Sequence, residues 1–310
     1  VPELPEVETI RKQLHPLLSG LQIVDAGSHP SAKFSSAVEA IGCQIRGVSR
    51  RGKYLIFALS DQVGADNSAG SSASLSETHA RAQHEALSDQ ASADGSAGSS
   101  ASLSEACELI IHLGMTGRLA VSPSADLSHP HLRAWWHLDN NQTLTFHDIR
   151  RFGRVYVVAA GRYENIATLS RLGPEPFSDE FTGEALWRSL RLSSRYLKTQ
   201  LLSQRPVAGV GNIYADEALW LAEINPAARS LSKPRATRLA ETIRTALASG
   251  LRHGGTTLRD YASLNGSGGN QDYLHCYGRS GAPCERCGVE LRRRVIDARG
   301  TTWCPICQRR

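Results

Sequence analysis

Between residues 5 and 18 the apolar positions Val7, Ile10, Leu14 and Leu17 recur at spacings of three, four and three. That period predicts an amphipathic helix with one buried face. The pattern then shortens. Runs rich in β-branched and other apolar residues at 21–26, 43–48, 54–59, 108–113, 132–138, 143–146 and 154–159 read as strands, with Asp139-Asn140-Asn141 as a hairpin turn between two of them. Many short strands at this spacing predict a sandwich or barrel flanked by helices. Beyond residue 172 the helical period returns. Leu186, Leu190, Leu197 and Leu201 predict one helix over 185–203. A second runs over 213–222, and Leu239, Ile243, Leu247 and Leu251 mark a third that Gly254-Gly255 stops. The expected class is α+β: an N-terminal helix with a β-sandwich, then a helical half.

Leu172-Gly173-Pro174-Glu175-Pro176 punctuates the change of period. We therefore place an N-terminal domain at 1–171, a linker at 172–183, a helical domain with a Gly-rich loop at 184–270, and a C-terminal module at 271–310. One stretch fits neither pattern. Leu-Ser-Asp-Gln at 59 and again at 87 opens two near-identical copies, both ending Ser-Ala-Gly-Ser-Ser-Ala-Ser-Leu-Ser-Glu, with a period of 28 residues. Such a period can signal a solenoid, but two aromatic-free Ser/Ala/Gly-rich copies bury too little apolar surface to offset the entropy of ordering. We read 61–106 as a tandem duplication inside a strand-to-strand loop, expected to be disordered.

Charge sharpens the division. The chain carries 35 Lys+Arg against 30 Asp+Glu, a net of +5. Residues 61–106 hold seven acids and one arginine, so the rest has 34 basic and 23 acidic residues, a net of +11. The folded part suits a polyanionic partner, although charge alone does not separate nucleic acid from an acidic membrane surface or from simple solubility. At 310 residues there is room for two domains with their own cores. No signal-peptide pattern and no apolar run of membrane-spanning length occurs, which leads us to expect a cytoplasmic protein.

Seven cysteines occur, four of them as Cys284-x2-Cys287 and Cys304-x2-Cys307 with 16 residues between the pairs. That spacing is characteristic of a four-thiolate zinc site in a reducing compartment. Four sulfurs leave no open position, so the metal would be structural. Cys43, Cys107 and Cys276 read as small buried hydrophobes. Between the cysteine pairs, two β-rich runs flank Asp297-Ala298-Arg299-Gly300 as a basic hairpin.

The chain opens Val1-Pro2-Glu3-Leu4-Pro5-Glu6-Val7-Glu8. A proline at a chain terminus carries a secondary amine, and terminal amines have pKa values of roughly 7.7 to 8. Such an amine is nucleophilic near neutrality and can form an iminium with an electrophilic carbon. Glu3 stands beside it as a proton carrier. The same residues also suit a plain helix start, with proline in the first turn and acids at the positive end of the dipole. Other segments divide in the same way. Val207-Ala208-Gly209-Val210-Gly211-Asn212 allows close backbone approach, with Asn212 capping the next helix and freeing its amides for an anion, or is an ordinary capped helix pair. Lys53 sits in a tight turn opening a strand, as a site lysine or a solvated charge. Met115, the one methionine, lies in the Gly-bounded turn after His112, and Arg150 and Phe152 share Asp148-Ile149-Arg150-Arg151-Phe152-Gly153. Core packing is the plain alternative for Met115 and Phe152, as is a packed strand histidine for His112.

Together these motifs resemble the formamidopyrimidine-DNA glycosylases, which excise oxidised purines, and the matches run to both termini outside 61–106. The resemblance implies a helix-two-turns-helix element over 207–214 and a four-cysteine zinc-finger β-hairpin. It implies that Pro2 is the nucleophile and Glu3 the proton donor of a glycosylase and abasic-site lyase working by β,δ-elimination. It further implies that Lys53 and Arg299 hold phosphates at the lesion, that His112 and Asn212 contact DNA phosphate, and that Met115, Arg150 and Phe152 fill the void left by the extruded nucleotide. The loop after Gly254 would close over the extruded base, but it lacks the aromatic-containing stretch often found there, which leaves the residues that read the base unassigned. The implied partner is double-stranded DNA with oxidised purines, bound by a monomer with one structural zinc, no nucleotide cofactor and no membrane. Val1, if retained, would make Pro2 an amide. We read it as a literal rendering of a GTG start codon whose methionine is removed.

Three other readings stand beside this one. An endonuclease VIII-type enzyme would prefer oxidised pyrimidines; Leu4-Pro5 and the Met115, Arg150, Phe152 set favour the purine branch. A non-catalytic DNA-damage-binding paralogue would keep the zinc hairpin, and Val1 is the one feature in its favour. A zinc-stabilised RNA-binding protein would not account for the proline terminus.

Overall fold

The computed structural model of the chain describes residues 2–60, 106–257, 263–264 and 266–309. The duplicated insertion and residues 258–262 of the Gly-rich loop lie outside them. Helix α1 (Leu4–Leu18) sends Val7, Ile10, Leu14 and Leu18 into the core of the sandwich, whereas Leu4 at its start belongs to the core of the helical half. One helix thereby pins two cores together. Leu17, expected in the buried stripe, is half exposed, and Leu18 takes its place.

Among the described residues eight strands form the sandwich: β1 (Ile23–Ser28), β2 (Gln44–Arg51), β3 (Tyr54–Ser60), β4 (Cys107–His112), β5 (Gly117–Ser122), β6 (Leu132–Leu138), β7 (Thr143–Asp148) and β8 (Arg154–Ala159). They pair antiparallel in two four-stranded sheets ordered β1-β6-β7-β5 and β2-β3-β4-β8. Trp136, Phe57, Phe146 and Phe34 are fully buried in the core that these sheets share with α1. Strand β5 did not appear in the sequence reading. Its inward face is only Gly117 and Leu119, with Val121 half-buried, too short a run to stand out.

Helix α2 (Ala167–Ser170) packs Leu169, with Ile166 before it, against Tyr54, Ile56 and Ile110 on the outer face of the β2-β3-β4-β8 sheet, and the helical half holds α3 (Gly183–Arg191), α4 (Leu197–Leu202), α5 (Asn212–Leu221) and α6 (Lys233–Arg252). The single helix expected over 185–203 is in fact two. The break follows from Ser193-Ser194: the Ser193 hydroxyl accepts from Arg195 N, and Gln200 Nε2 donates to the carbonyls of Ser193 and Arg195. Local side-chain bonds of this kind compete with the helical ladder. Leu192, at the break, is 88% exposed.

At the C-terminus β9 (Arg292–Ile296) pairs with β10 (Arg299–Trp303). The turn is only Asp297-Ala298, both left-handed at φ 44° and 61°, as a two-residue type I′ hairpin requires. Arg299 and Gly300, expected in the turn, therefore begin β10.

Candidate active site and nucleic-acid interface

Pro2 is buried at the front of α1, where the two cores meet. Glu3, 1% exposed, points its carboxylate at the start of α5. Oε2 accepts from Gly211 N at 2.6 Å and Tyr214 N at 3.4 Å, and Oε1 accepts from Ile213 N at 2.9 Å. Those are the free amides that end every helix, at the positive pole of its dipole. The sequence reading gave this cap to Asn212. Instead Gly211 is the capping residue, Asn212 lies in the first turn, and the anion that meets the amides is Glu3. Gly209, at φ 83°, is required nearby, because a Cβ there would lie 2.5 Å from Leu4 Cδ1.

Glu6, one turn further on, is fully buried. Its Oε2 accepts from Glu3 N at 2.8 Å, and its Oε1 accepts from Tyr214 Oη at 2.8 Å and Thr256 N at 2.6 Å. Burial, then the nearby charge of Glu3, pushes its carboxyl up to about 7, against the opposing hydrogen bonds. Thr256 also accepts from Asn270 Nδ2 at 2.9 Å, so both roots of the Gly-rich loop are tied to the N-terminal end of α1.

Lys53 occupies the β2–β3 turn after Gly52 (φ 56°). Glu175 of the linker braces that turn: it accepts from Gly52 N at 2.6 Å, from Arg50 Nη2 at 2.8 Å and from Arg51 Nη1 at 2.9 Å. Burial holds the Lys53 ammonium below its ordinary value. Glu3 and Glu6 oppose the depression and Arg299 adds to it, which places the four charges in one neighbourhood. Beside them the His112 ring packs on Tyr54 at 4.7 Å between centroids. Burial, then Lys53, pulls His112 down to about 4, so it is neutral at pH 7. Its Nδ1 accepts from Gly114 N at 3.3 Å, which leaves Nε2–H as a donor.

Arg299 is exposed at the start of β10. The next carbonyl, Gly300 O, accepts from Asn212 Nδ2 at 3.2 Å and from Lys198 Nζ at 2.9 Å. Lys198 is wholly buried, pairs with Asp216 at 2.6 Å, and donates to Thr301 Oγ1 at 2.9 Å. Burial drives both partners towards their neutral forms. Three acceptors around one Nζ nevertheless favour the ammonium, and this buried pair, absent from the sequence reading, ties the hairpin to the helical domain.

The two expected void-filling loops lie side by side. Met115 is half-buried, Arg150 is exposed, and Phe152 is 48% exposed with the Arg150 guanidinium 5.0 Å from its ring centre. Sequence reasoning also missed three histidines beside these loops. His129 lies 5.5 Å from His131 and 4.9 Å from His147 between ring centres, and all three line a cavity of about 670 Å³ with Thr116, Arg118 and Ile149. The dispersed spacing 129, 131, 147 hid them. Strand pairing of Leu132 with His147 brings them together.

The Sγ atoms of Cys284, Cys287, Cys304 and Cys307 all lie within 4.8 Å of one another. Zn–S bonds of about 2.3 Å place tetrahedral sulfurs about 3.8 Å apart, so the set fits one zinc with no position left for substrate. Cys276 stands apart and donates to Thr302 O at 3.0 Å.

Residues 1–155 match the profile of the formamidopyrimidine-DNA glycosylase N-terminal domain, 172–262 that of the H2TH domain of the same enzymes, and 281–310 a zinc finger found in FPG and IleRS. The chain belongs to the formamidopyrimidine-DNA glycosylase family. Named members include the formamidopyrimidine-DNA glycosylase of Thermus thermophilus, 40% identical over 99% of this chain and 98% of its own, and that of Deinococcus radiodurans, 39% identical over 99% and 97%. The crystal structure of MutM (Fpg) from Thermus thermophilus superposes with a TM-score of 0.78 at 40% identity, covering 99% of this chain and 98% of that one. A Lactococcus lactis Fpg mutant, solved in complex with a Fapy-dG-containing DNA, superposes at 0.79 with 29% identity and full coverage of both chains. The sandwich, the helix-two-turns-helix and the cysteine cluster are thus the architecture of that family.

Proposed function

We propose that the protein is a bifunctional DNA glycosylase and abasic-site lyase that removes oxidised purines such as 8-oxoguanine and formamidopyrimidines. The observation that carries the reading is the junction itself. Pro2, the nucleophile once residue 1 is removed, and the buried Glu3 stand at the meeting of two domains, with Lys53 and Arg299 in the same neighbourhood.

In this mechanism the Pro2 nitrogen attacks C1′ of the extruded nucleotide, the base leaves with the bonding pair and takes a proton from water, and the Glu3 carboxylate takes up the proton that the attacking nitrogen sheds. Glu3 delivers a proton to the sugar ring oxygen as the ring opens, leaving an iminium at C1′. That cation acidifies the C2′ proton; its removal expels the 3′ phosphate, and a second elimination expels the 5′ phosphate. Lys53, Arg299, Asn212 and neutral His112 through Nε2–H orient the flanking phosphates. Met115, Arg150 and Phe152 occupy the vacated stack. Bound zinc would supply only the cross-link that keeps the hairpin folded, so no step passes through it. The chain would act as a monomer without a nucleotide cofactor. Four thiolate ligands suit the reducing cytoplasm.

Product analysis tests the chemistry. On an 8-oxoguanine duplex the expected product is a one-nucleotide gap with phosphate on both sides. An intact strand bearing an abasic site, or a strand left uncut, contradicts it. A higher rate on thymine glycol than on 8-oxoguanine would move the protein to the pyrimidine branch.

A further inference from the structure

Asp148 ends β7 with its carboxylate 1% exposed, and the chemistry above does not use it. Its Oδ1 accepts from the Thr116 hydroxyl at 2.5 Å and from Arg150 N at 3.3 Å, while Oδ2 accepts from Gly153 N at 2.7 Å. Thr116 follows Met115, and Arg150 and Gly153 bracket Phe152. One carboxylate therefore ties the two filler loops at their roots. Thr116 Oγ1 closes the ring by accepting from Arg150 N at 3.1 Å.

The backing is equally firm. Arg133, 3% exposed, donates from Nε to Asp148 O at 2.8 Å. The loops also meet backbone to backbone. A Cβ on Gly114, at φ 66°, would lie 2.5 Å from the Phe152 carbonyl carbon. The tips are open by contrast, with Ile149 60% and Phe152 48% exposed. Exposed apolar tips on braced roots make a wedge, and a wedge inserts favourably only when its geometry is set beforehand.

We propose that Asp148 is a positioning residue that fixes the spacing of Met115 against Arg150 and Phe152, and so sets how sharply the enzyme discriminates the base opposite the lesion. This rests on the reading of those three residues as void fillers. A carboxylate suits the task because it accepts three donors and offers none. In Asp148→Asn one backbone N–H, of Arg150 or of Gly153, faces the amide NH2 whichever way the side chain is turned.

The test compares Asp148→Asn, Thr116→Val and Thr116→Ser with the unaltered protein. Two quantities are measured: single-turnover excision of 8-oxoguanine opposite cytosine and opposite adenine, and borohydride trapping on a single-stranded abasic oligonucleotide, which has no stack to fill. The expected result is a fall in the cytosine-over-adenine ratio of roughly tenfold for Asp148→Asn and Thr116→Val. Thr116→Ser should keep the ratio, and single-stranded trapping should stay unchanged throughout. An unaltered ratio in both disabling variants overturns the proposal, as does an equal loss on both duplexes and the single strand, which would mark a merely structural role. Should Asp148→Asn not fold, Thr116→Val carries the same test. Failure of the unaltered protein to trap any substrate would instead sink the enzymatic reading beneath it.

Discussion

Gly211 offers the cleanest perturbation of the site, because a Cβ there meets first the carboxylate of Glu3, the proposed proton donor. Its backbone, at φ −120° and ψ −155°, is extended and accepts alanine without conformational strain. The obstacle is contact alone. A Cβ would lie 2.3 Å from Glu3 Cδ and 2.6 Å from each carboxylate oxygen, where 3.4 Å is ordinary contact. Glu3 must then retreat by about 1 Å, the shortfall in that contact, and its buried setting opposes the move. The short bonds from Gly211 N and Ile213 N, at 2.6 and 2.9 Å, are lost or stretched. Hydrogen bonds to a charged group contribute about 1.5–3 kcal/mol each, and partial relaxation recovers some of that, which leaves a loss of about 2–3 kcal/mol. For a chain of this size the melting temperature would fall by roughly 3–5 °C. A 1 Å misplacement of a catalytic group costs about 100-fold in rate. Single-turnover excision from an 8-oxoguanine duplex, beside thermal unfolding, measures both effects for Gly211→Ala. A rate within about twofold of the unaltered protein, well short of that loss, would refute the placement of Glu3 on the α5 amides.

Other consequences are open to measurement. Glu6 is held near 7 against an ordinary 4.5, so the folded state binds more protons between those values and its stability falls as pH rises through them. Glu6→Gln removes that loss. Its stability relative to the unaltered protein should improve by roughly 2–3 kcal/mol from about pH 5 to pH 8, and a pH-independent difference in denaturant titrations would contradict the assignment. Lys198→Met strands the buried Asp216 carboxylate and should cost about 3–5 kcal/mol, most of it restored by adding Asp216→Asn; equal stabilities of the single and double variants would disprove the pairing. Arg299→Ala should weaken binding to all DNA sequences alike and lower the salt slope of log K by about 1, whereas a sequence-selective loss would argue against a phosphate contact. Chelating the zinc should abolish DNA binding by releasing the hairpin, with near-UV dichroism of the buried Trp136 retained. Unchanged DNA affinity in the metal-free protein would remove the hairpin from the interface.

Local pattern carried much of this architecture. The stripe of Val7, Ile10 and Leu14 was enough to expect α1, and the spacing of four cysteines was enough to expect their cluster, because both signals lie within a few turns or one hairpin. What escaped was long-range or brief. The cap of α5 comes from Glu3, more than 200 residues upstream, so Asn212 looked like the natural candidate. Lys198 and Asp216 lie on separate helices, and only their common burial pairs them. The histidines at 129, 131 and 147 are joined only by strand register, and β5 has too few apolar residues to raise an alternating signal. The break after Arg191 was overridden by leucines whose spacing ran on, although Ser193 and Ser194 supplied the means to end a helix.

The decisive observation concerns one nitrogen. The protein, its N-terminal mass established, is incubated with an 8-oxoguanine duplex and borohydride, and the N-terminal peptide of any covalent complex is sequenced by mass spectrometry. The expected result is a reduced sugar adduct on Pro2, formed only in molecules whose chain begins at that residue. Strand cleavage with no adduct on Pro2, or equal cleavage by protein that retains Val1, would contradict the account.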